Sequence, residues 1–158
     1  MDPGNLKAMI AAAKKARAAR AVIARHDINT FIPFVMRDEE SGKSITQAPY
    51  HSQWQDLCNE GNRLGRNPNL RFVIVGATAG QSGKITETIA RYIKESEELH
   101  LVFPHLKPGP IWARSYFTVE RDSTAKDPSV QAIGLHAAIL GARIDRLILD
   151  DCLTYETC

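Results

Sequence analysis

Two segments carry residues whose types and spacing could do chemistry. Leu147-Ile148-Leu149 is a short apolar run that delivers Asp150 and Asp151. A strand ending in two carboxylates is the Walker B pattern. One carboxylate holds the Mg²⁺ that bridges the β- and γ-phosphates of a nucleotide, and the other orients or deprotonates the attacking water. Asp150 is the candidate Mg²⁺ ligand and Asp151 the candidate water-orienting group. Adjacent acids also end many strands simply as a solvated terminus.

The second segment is Gly80-Gln81-Ser82-Gly83-Lys84, which lies between an apolar strand and a helical stretch, as a phosphate loop would. Gly83 and Lys84 are the candidate phosphate contacts. In the G-x-x-x-x-G-K-[ST] register, however, the first glycine falls on Thr78 and the residue after Lys84 is Ile85, which has no oxygen for Mg²⁺. Thr86 is one residue too late, a rotation of about 100° around a helix. The competing reading is a tight strand-to-helix turn with a surface lysine, and the register favours it.

A set of elements must position these groups. The chain has 158 residues, 44% hydrophobic and 24% charged, enough for one ordinary domain with its own core. No apolar run is long enough to span a membrane. Three cysteines without a CxxC pair argue against a disulfide framework or a zinc site and fit a reducing compartment. The five histidines never sit at ligand spacing.

The net charge is only +2, but it is unevenly spread. Lys7, Lys14, Lys15, Arg17, Arg20 and Arg25 share a stretch with no acid, and alanines fill the gaps. That mixture is strongly helix-forming. Residues 1–26 therefore read as a basic N-terminal helix, and residues 27–158 as a separate α/β domain. Lys14, Lys15, Arg17 and Arg20 are the candidate contacts to a phosphate backbone or an acidic partner. A solvated basic face explains the same composition.

Along the rest of the chain, Phe31 to Met36 reads as a linker-like apolar piece and Arg37 to Ser44 as a charged loop. Gln47 to Glu60 reads as a helix with Trp54, Leu57 and Cys58 on its apolar stripe, and Gly61 to Asn69 as a loop. Arg71 to Gly76 is the clearest buried strand. A small-residue turn and a helix from about Lys84 to Glu98 follow. Pro104, Pro108 and Pro110 break the chain before strands at Ser115 to Glu120 and Ser129 to Ile133. Leu135 to Gly141 is a small-residue helix or turn, and Leu147 to Leu149 a second buried strand. Strands alternating with helices predict an α/β layer fold with a mostly parallel sheet.

Several segments, in order, resemble the ATPase domain of tailed-bacteriophage terminase large subunits. They include Met36-Arg37-Asp38-Glu39-Glu40, Gln47 to Trp54, and Gly65-Arg66-Asn67-Pro68-Asn69-Leu70-Arg71 running on through Thr78-Ala79-Gly80-Gln81 to Ile93. Val102-Phe103-Pro104, Thr118-Val119-Glu120-Arg121, Asp127 to Ala132 and Gly141 to Asp151 complete the set. The likeness spans roughly Asp27 to Glu156, and its strongest part is Asp127 to Asp151. The resemblance implies a three-layer, mostly parallel sheet of the additional-strand P-loop ATPase type, incomplete here.

In that family the Asn-Pro-Asn-led strand follows the P-loop unit. The true P-loop belongs between the Trp54 helix and Asn67, where this sequence has only Asp56 to Arg66. A missing strand, loop and helix would amount to on the order of 25–30 residues. By this reading Gly83-Lys84 imitates the motif, and Leu64-Gly65-Arg66 is the tail of the lost helix. The resemblance further implies that Arg143 is an arginine finger, in cis or toward a neighbouring subunit; a plain ion pair with Asp145 or another acid is the competing reading. It places Tyr50 and His51, with Trp54, near adenine, and Glu156 behind Asp151.

The implied activity is ATP- and Mg²⁺-dependent packaging of double-stranded DNA into a procapsid, in the cytoplasm of an infected bacterial host. The implied partners are DNA, a small terminase subunit and a portal ring. The remaining ATPase strands and the nuclease domain would lie beyond Cys158, so impaired or absent activity is expected of this chain alone. Loss of a central strand also predicts marginal stability or self-association. Two other readings compete: a non-catalytic DNA- or partner-binding module built on the basic helix, and a small ATPase that uses Gly83-Lys84.

Overall fold

The computed structural model describes residues 3–38, 40–45, 63–137 and 141–152. The chain divides into two compact units, Met1–Asn62 with Glu97–Pro104, and Arg63–Ser96 with His105–Cys158.

The first unit contains α1 (Pro3–Ala24), α2 (Ile28–Val35) and α5 (Glu97–Val102). Every residue of α1 from Gly4 to Arg20 is exposed, and only Ala21 and Ala24 near its end are buried. The predicted basic helix is thus present, but its packing is confined to the last turn and to its arginines. Arg25 donates to the carbonyls of Leu101 and Val102, the end of α5, where a helix presents unpaired carbonyls and partial negative charge.

The linker expected at Phe31 to Met36 is instead part of α2. Asp27 caps that helix by accepting the N–H groups of Asn29 and Thr30 at 3.1 and 3.0 Å. Ile28, Phe31, Phe34 and Val35 are its buried side. Phe31 packs against Phe103 with ring centroids 6.0 Å apart. Arg37 pairs with Ser44 in an isolated antiparallel bridge, closing the loop expected there. The helix expected at Gln47 to Glu60 lies outside the described residues.

The second unit is built on a five-stranded sheet in the order β2-β3-β4-β1-β5. The strands are β1 (Phe72–Gly76), β2 (Pro108–Trp112), β3 (Tyr116–Val119), β4 (Val130–Gly134) and β5 (Arg146–Leu149). β4, β1 and β5 run parallel, while β2 and β3 are antiparallel, so the fold is α/β with a mixed sheet. β2 replaces part of the break expected at Pro108 and Pro110. An edge strand tolerates proline because its outward N–H groups need no partner. The added Cβ of an alanine at Gly109 would lie 2.7 Å from Thr118 Oγ1 and 2.8 Å from Thr118 O, so β2 approaches β3 closely there.

The main helix of this unit is α4 (Ala79–Glu95), preceded by the single turn α3 (Arg63–Arg66). α4 begins well before Lys84 because Thr78 caps it, its Oγ1 accepting the Gln81 N–H at 3.3 Å. Ser82, fully buried, donates to the Ile133 carbonyl at 2.8 Å and ties α4 to β4. On the sheet face that carries Val73, Val75 and Ile133, Ile144 and Cys152 pack against those three side chains.

Candidate functional site at the carboxyl edge of the parallel strands

Three parallel strands end together at Gly76, Gly134 and Leu149. In open α/β sheets the crevice outside the carboxyl ends of the strands is where ligands bind. The start of α4 lies directly over this edge. A Cβ on Gly76 would come within 3.2 Å of the Ser82 nitrogen, and one on Gly134 within 3.0 Å of the Ala79 nitrogen. The two glycines are register partners, and their missing side chains let the helix start sit on the strand ends.

Asp150 and Asp151 project from the same edge. The Asp150 N–H donates to the Val75 carbonyl at 2.8 Å, which extends the ladder one residue past β5. The chain then turns at Asp151, whose φ of 47° lies in the left-handed region that aspartate tolerates better than most residues. Gln81, in the first turn of α4, donates from Nε2 to Asp151 Oδ2 at 3.1 Å. The Cys152 thiol donates back to Val75 O at 3.1 Å. Strand end, turn and helix start are therefore stitched together around two exposed carboxylates.

Gly83 and Lys84 are in the second turn of α4, with Gly83 buried and Lys84 exposed. Their backbone N–H groups belong to the helical ladder, so they cannot wrap a phosphate as loop amides do. The N–H groups that helical geometry leaves without a partner in the ladder are those of the first turn, Ala79 and Gly80 among them, a turn earlier. The two carboxylates suit a hydrated Mg²⁺, whereas the phosphate grip of Mg²⁺-ATP does not fit Gly83 and Lys84. Among the described residues, no group of three or more His, Cys, Asp or Glu side chains could enclose a metal by itself.

Arg143 lies at the other end of the sheet. It precedes β5, and its N–H donates to Asp127 Oδ2 at 3.2 Å. The span of β1 from Arg71 to Val75, on the order of 13 Å, separates the two ends. Arg143 therefore cannot reach Asp150 of its own chain. Asp145, the alternative partner foreseen for Arg143, is held by Arg71 instead. The same amino end carries a cavity of about 370 Å³ lined by Thr118, Arg121, Ser123, Thr124 and Lys126 among others. Arg121 Nη2 donates to the carbonyls of Ala125 and Asp127 at 2.7 and 2.6 Å and so shapes the loop.

Of the basic candidates on α1, Arg17 bonds to Glu98 at 3.0 Å and Arg20 lies over the Phe34 ring at 6.0 Å. Lys14 and Lys15, with Lys7, are exposed and make no ion pair among the described residues. Tyr50, His51 and Glu156 fall outside the described residues.

Thr78 and Gln81 build this site, and Arg71 clamps the opposite end of the sheet. Thr78-Ala79-Gly80-Gln81 has the spacing of a capping box and was a usable signal. Nothing local marks Arg71. Compared with known families, curated proteins and solved structures, the chain matches none.

Proposed function

We propose that this chain carries part of the ATPase sheet of a tailed-phage terminase large subunit and does not hydrolyse ATP by itself. The whole motor would package double-stranded DNA into a procapsid with a small terminase subunit and a portal ring, in the cytoplasm of the host. The observation that carries the reading is the pairing of β5 with β1. It delivers Asp150 and Asp151 to the carboxyl edge beside the first turn of α4, where a Walker B pair would have to stand. The helical state of Gly83 and Lys84 supports the second half of the proposal. Carboxylates without a phosphate cradle have no charge development to stabilise.

Titration calorimetry with Mg²⁺-ATP on the wild type beside Lys84→Ala tests this. Neither protein should bind at micromolar concentration. Binding that Lys84→Ala abolishes would overturn the reading and make the chain a small P-loop ATPase.

A second reading has its own observation. The exposed stretch of α1 from Gly4 to Arg20 presents Lys7, Lys14 and Lys15 without acidic neighbours on the helix. A basic helix of this kind can follow a phosphate backbone, which makes the chain a non-catalytic DNA-binding module. Nucleotide-independent DNA binding that collapses with added salt favours it.

A further inference from the structure

Among the described residues β5 ends the sheet and pairs with β1 on one side. The Arg146 N–H donates to Arg71 O at 3.0 Å and the Asp150 N–H to Val75 O at 2.8 Å. Backbone groups alternate sides along a strand, so those of Ile148 also face β1 while those of Leu147 and Leu149 point outward. The same two residues carry large exposed apolar side chains, 52% and 65% accessible. They continue, in register, the sheet face of Val73 and Val75. Natural edges are guarded by lysine, proline or a bulge, and β5 has none of these.

We infer that β5 pairs antiparallel with β5 of a second copy of this chain, about a two-fold axis at Ile148. Hydrogen-bonding direction fixes the register. Leu147 falls opposite Leu149 of the second copy, and Leu149 opposite Leu147. Every outward N–H then meets an outward C=O, and each exposed leucine meets another across the junction. Shifting the axis to Leu147 or Leu149 would pair only one leucine of each strand.

Charge selects the same arrangement. The strand is basic at its start and acidic just past its end, so the two-fold sets Arg146 of each copy opposite Asp150 of the other. A parallel alignment would set Asp150 beside Asp150. Asp151 comes opposite Asp145, whose charge is already met by Arg71, and the turn at Asp151 carries it off the strand line. The result is one sheet continuous through both copies. This inference stands on the sheet alone and is independent of the nucleotide reading.

Sedimentation velocity on the full chain tests it. The expected species has twice the mass of the chain and dissociates on dilution. Leu149→Lys should yield a monomer with unchanged far-UV circular dichroism, since the side chain it replaces is exposed. Arg146→Asp and Asp150→Arg should each weaken the dimer several-fold, and the double swap should restore it. Should Arg146→Asp lose its dichroism signal, Leu149→Lys and Asp150→Arg still decide the matter. A monomeric wild type, or one that only a strand from another polypeptide can cover, would overturn the inference. So would a dimer that Leu149→Lys leaves intact, an open-ended polymer, or a double swap no better than either single change.

Discussion

Arg71 and Asp145, at the amino ends of β1 and β5, hold each other through three bonds to the Asp145 carboxylate and a fourth from the Asp145 N–H to the Arg71 carbonyl at 3.0 Å. The guanidinium donates to the carboxylate at 2.8 and 3.0 Å, and the Arg71 N–H donates to the same carboxylate at 2.9 Å. The pair clamps the edge strand to the centre of the sheet, at the end opposite Asp150. Hydrogen bonding from Arg71 is the main cause that holds the Asp145 carboxyl below its ordinary 3.8, against the opposing effect of burial.

That depressed value makes a pH prediction. A carboxyl whose folded pKa is lowered stabilises the fold fully once the pH exceeds its unfolded pKa. The contribution is lost as the pH falls through the folded value. The thermal midpoint should therefore drop on acidification below about 4. Asp145→Asn should lower the midpoint by a few degrees at neutral pH and flatten that acid limb. An acid limb of unchanged steepness in Asp145→Asn would mean that other carboxyls set it.

The helix-to-strand junction gives a second prediction. Ser82→Ala removes the buried bond to the Ile133 carbonyl and leaves that acceptor without its side-chain donor. The cost should be roughly 1 kcal/mol by urea unfolding. Gly134→Val should cost more, about 2–3 kcal/mol, because even a Cβ there meets the Ala79 nitrogen at 3.0 Å and neither backbone segment yields easily. Equal costs for the two would show that the helix start can slide.

How much of this was legible in the sequence depended on the range of the interaction. Val73-Ile74-Val75 announced β1 because buried parallel strands are continuously apolar. Leu147-Ile148-Leu149 announced β5 by the same pattern, but β5 lies at the edge with Leu147 and Leu149 exposed, not buried as expected. Asp150 and Asp151 were expected at a strand end and lie there. α2 was hidden by Pro33 in a short apolar run, although Asp27 supplied the cap. α4 was started too late because the glycines outweighed the Thr78 signal. β2 was masked by prolines that an edge strand accepts. The Arg71–Asp145 clamp joins residues far apart in sequence, and no local pattern encodes such a choice of partner.

The α1 side chains divide by use, and the division is measurable. Changing Lys7, Lys14 and Lys15 to Ala should leave the thermal midpoint unchanged, since surface substitutions of this kind shift stability by within about 0.5 kcal/mol. If α1 binds duplex DNA, the triple change should reduce the salt dependence of binding by up to about three phosphate contacts. Arg17→Ala should instead lower stability slightly, because its guanidinium serves Glu98. DNA binding that ignores the lysines would remove α1 from consideration as the contact.

Gly83 offers the sharpest separation between a phosphate loop and a helix. In a loop that wraps phosphate, glycine is needed for close backbone approach, and alanine abolishes binding. In α4, Gly83 is a helix-interior glycine whose added Cβ would meet nothing within 4 Å among the described residues beyond the helix itself. An alanine there reduces the conformational freedom lost on folding and introduces no clash. Gly83→Ala should therefore stabilise the protein by about 0.5–1 kcal/mol. Its thermal midpoint should rise by several degrees. A fall in the midpoint would mean that the second turn of α4 departs from helical geometry, and Gly83-Lys84 would return as a candidate for phosphate.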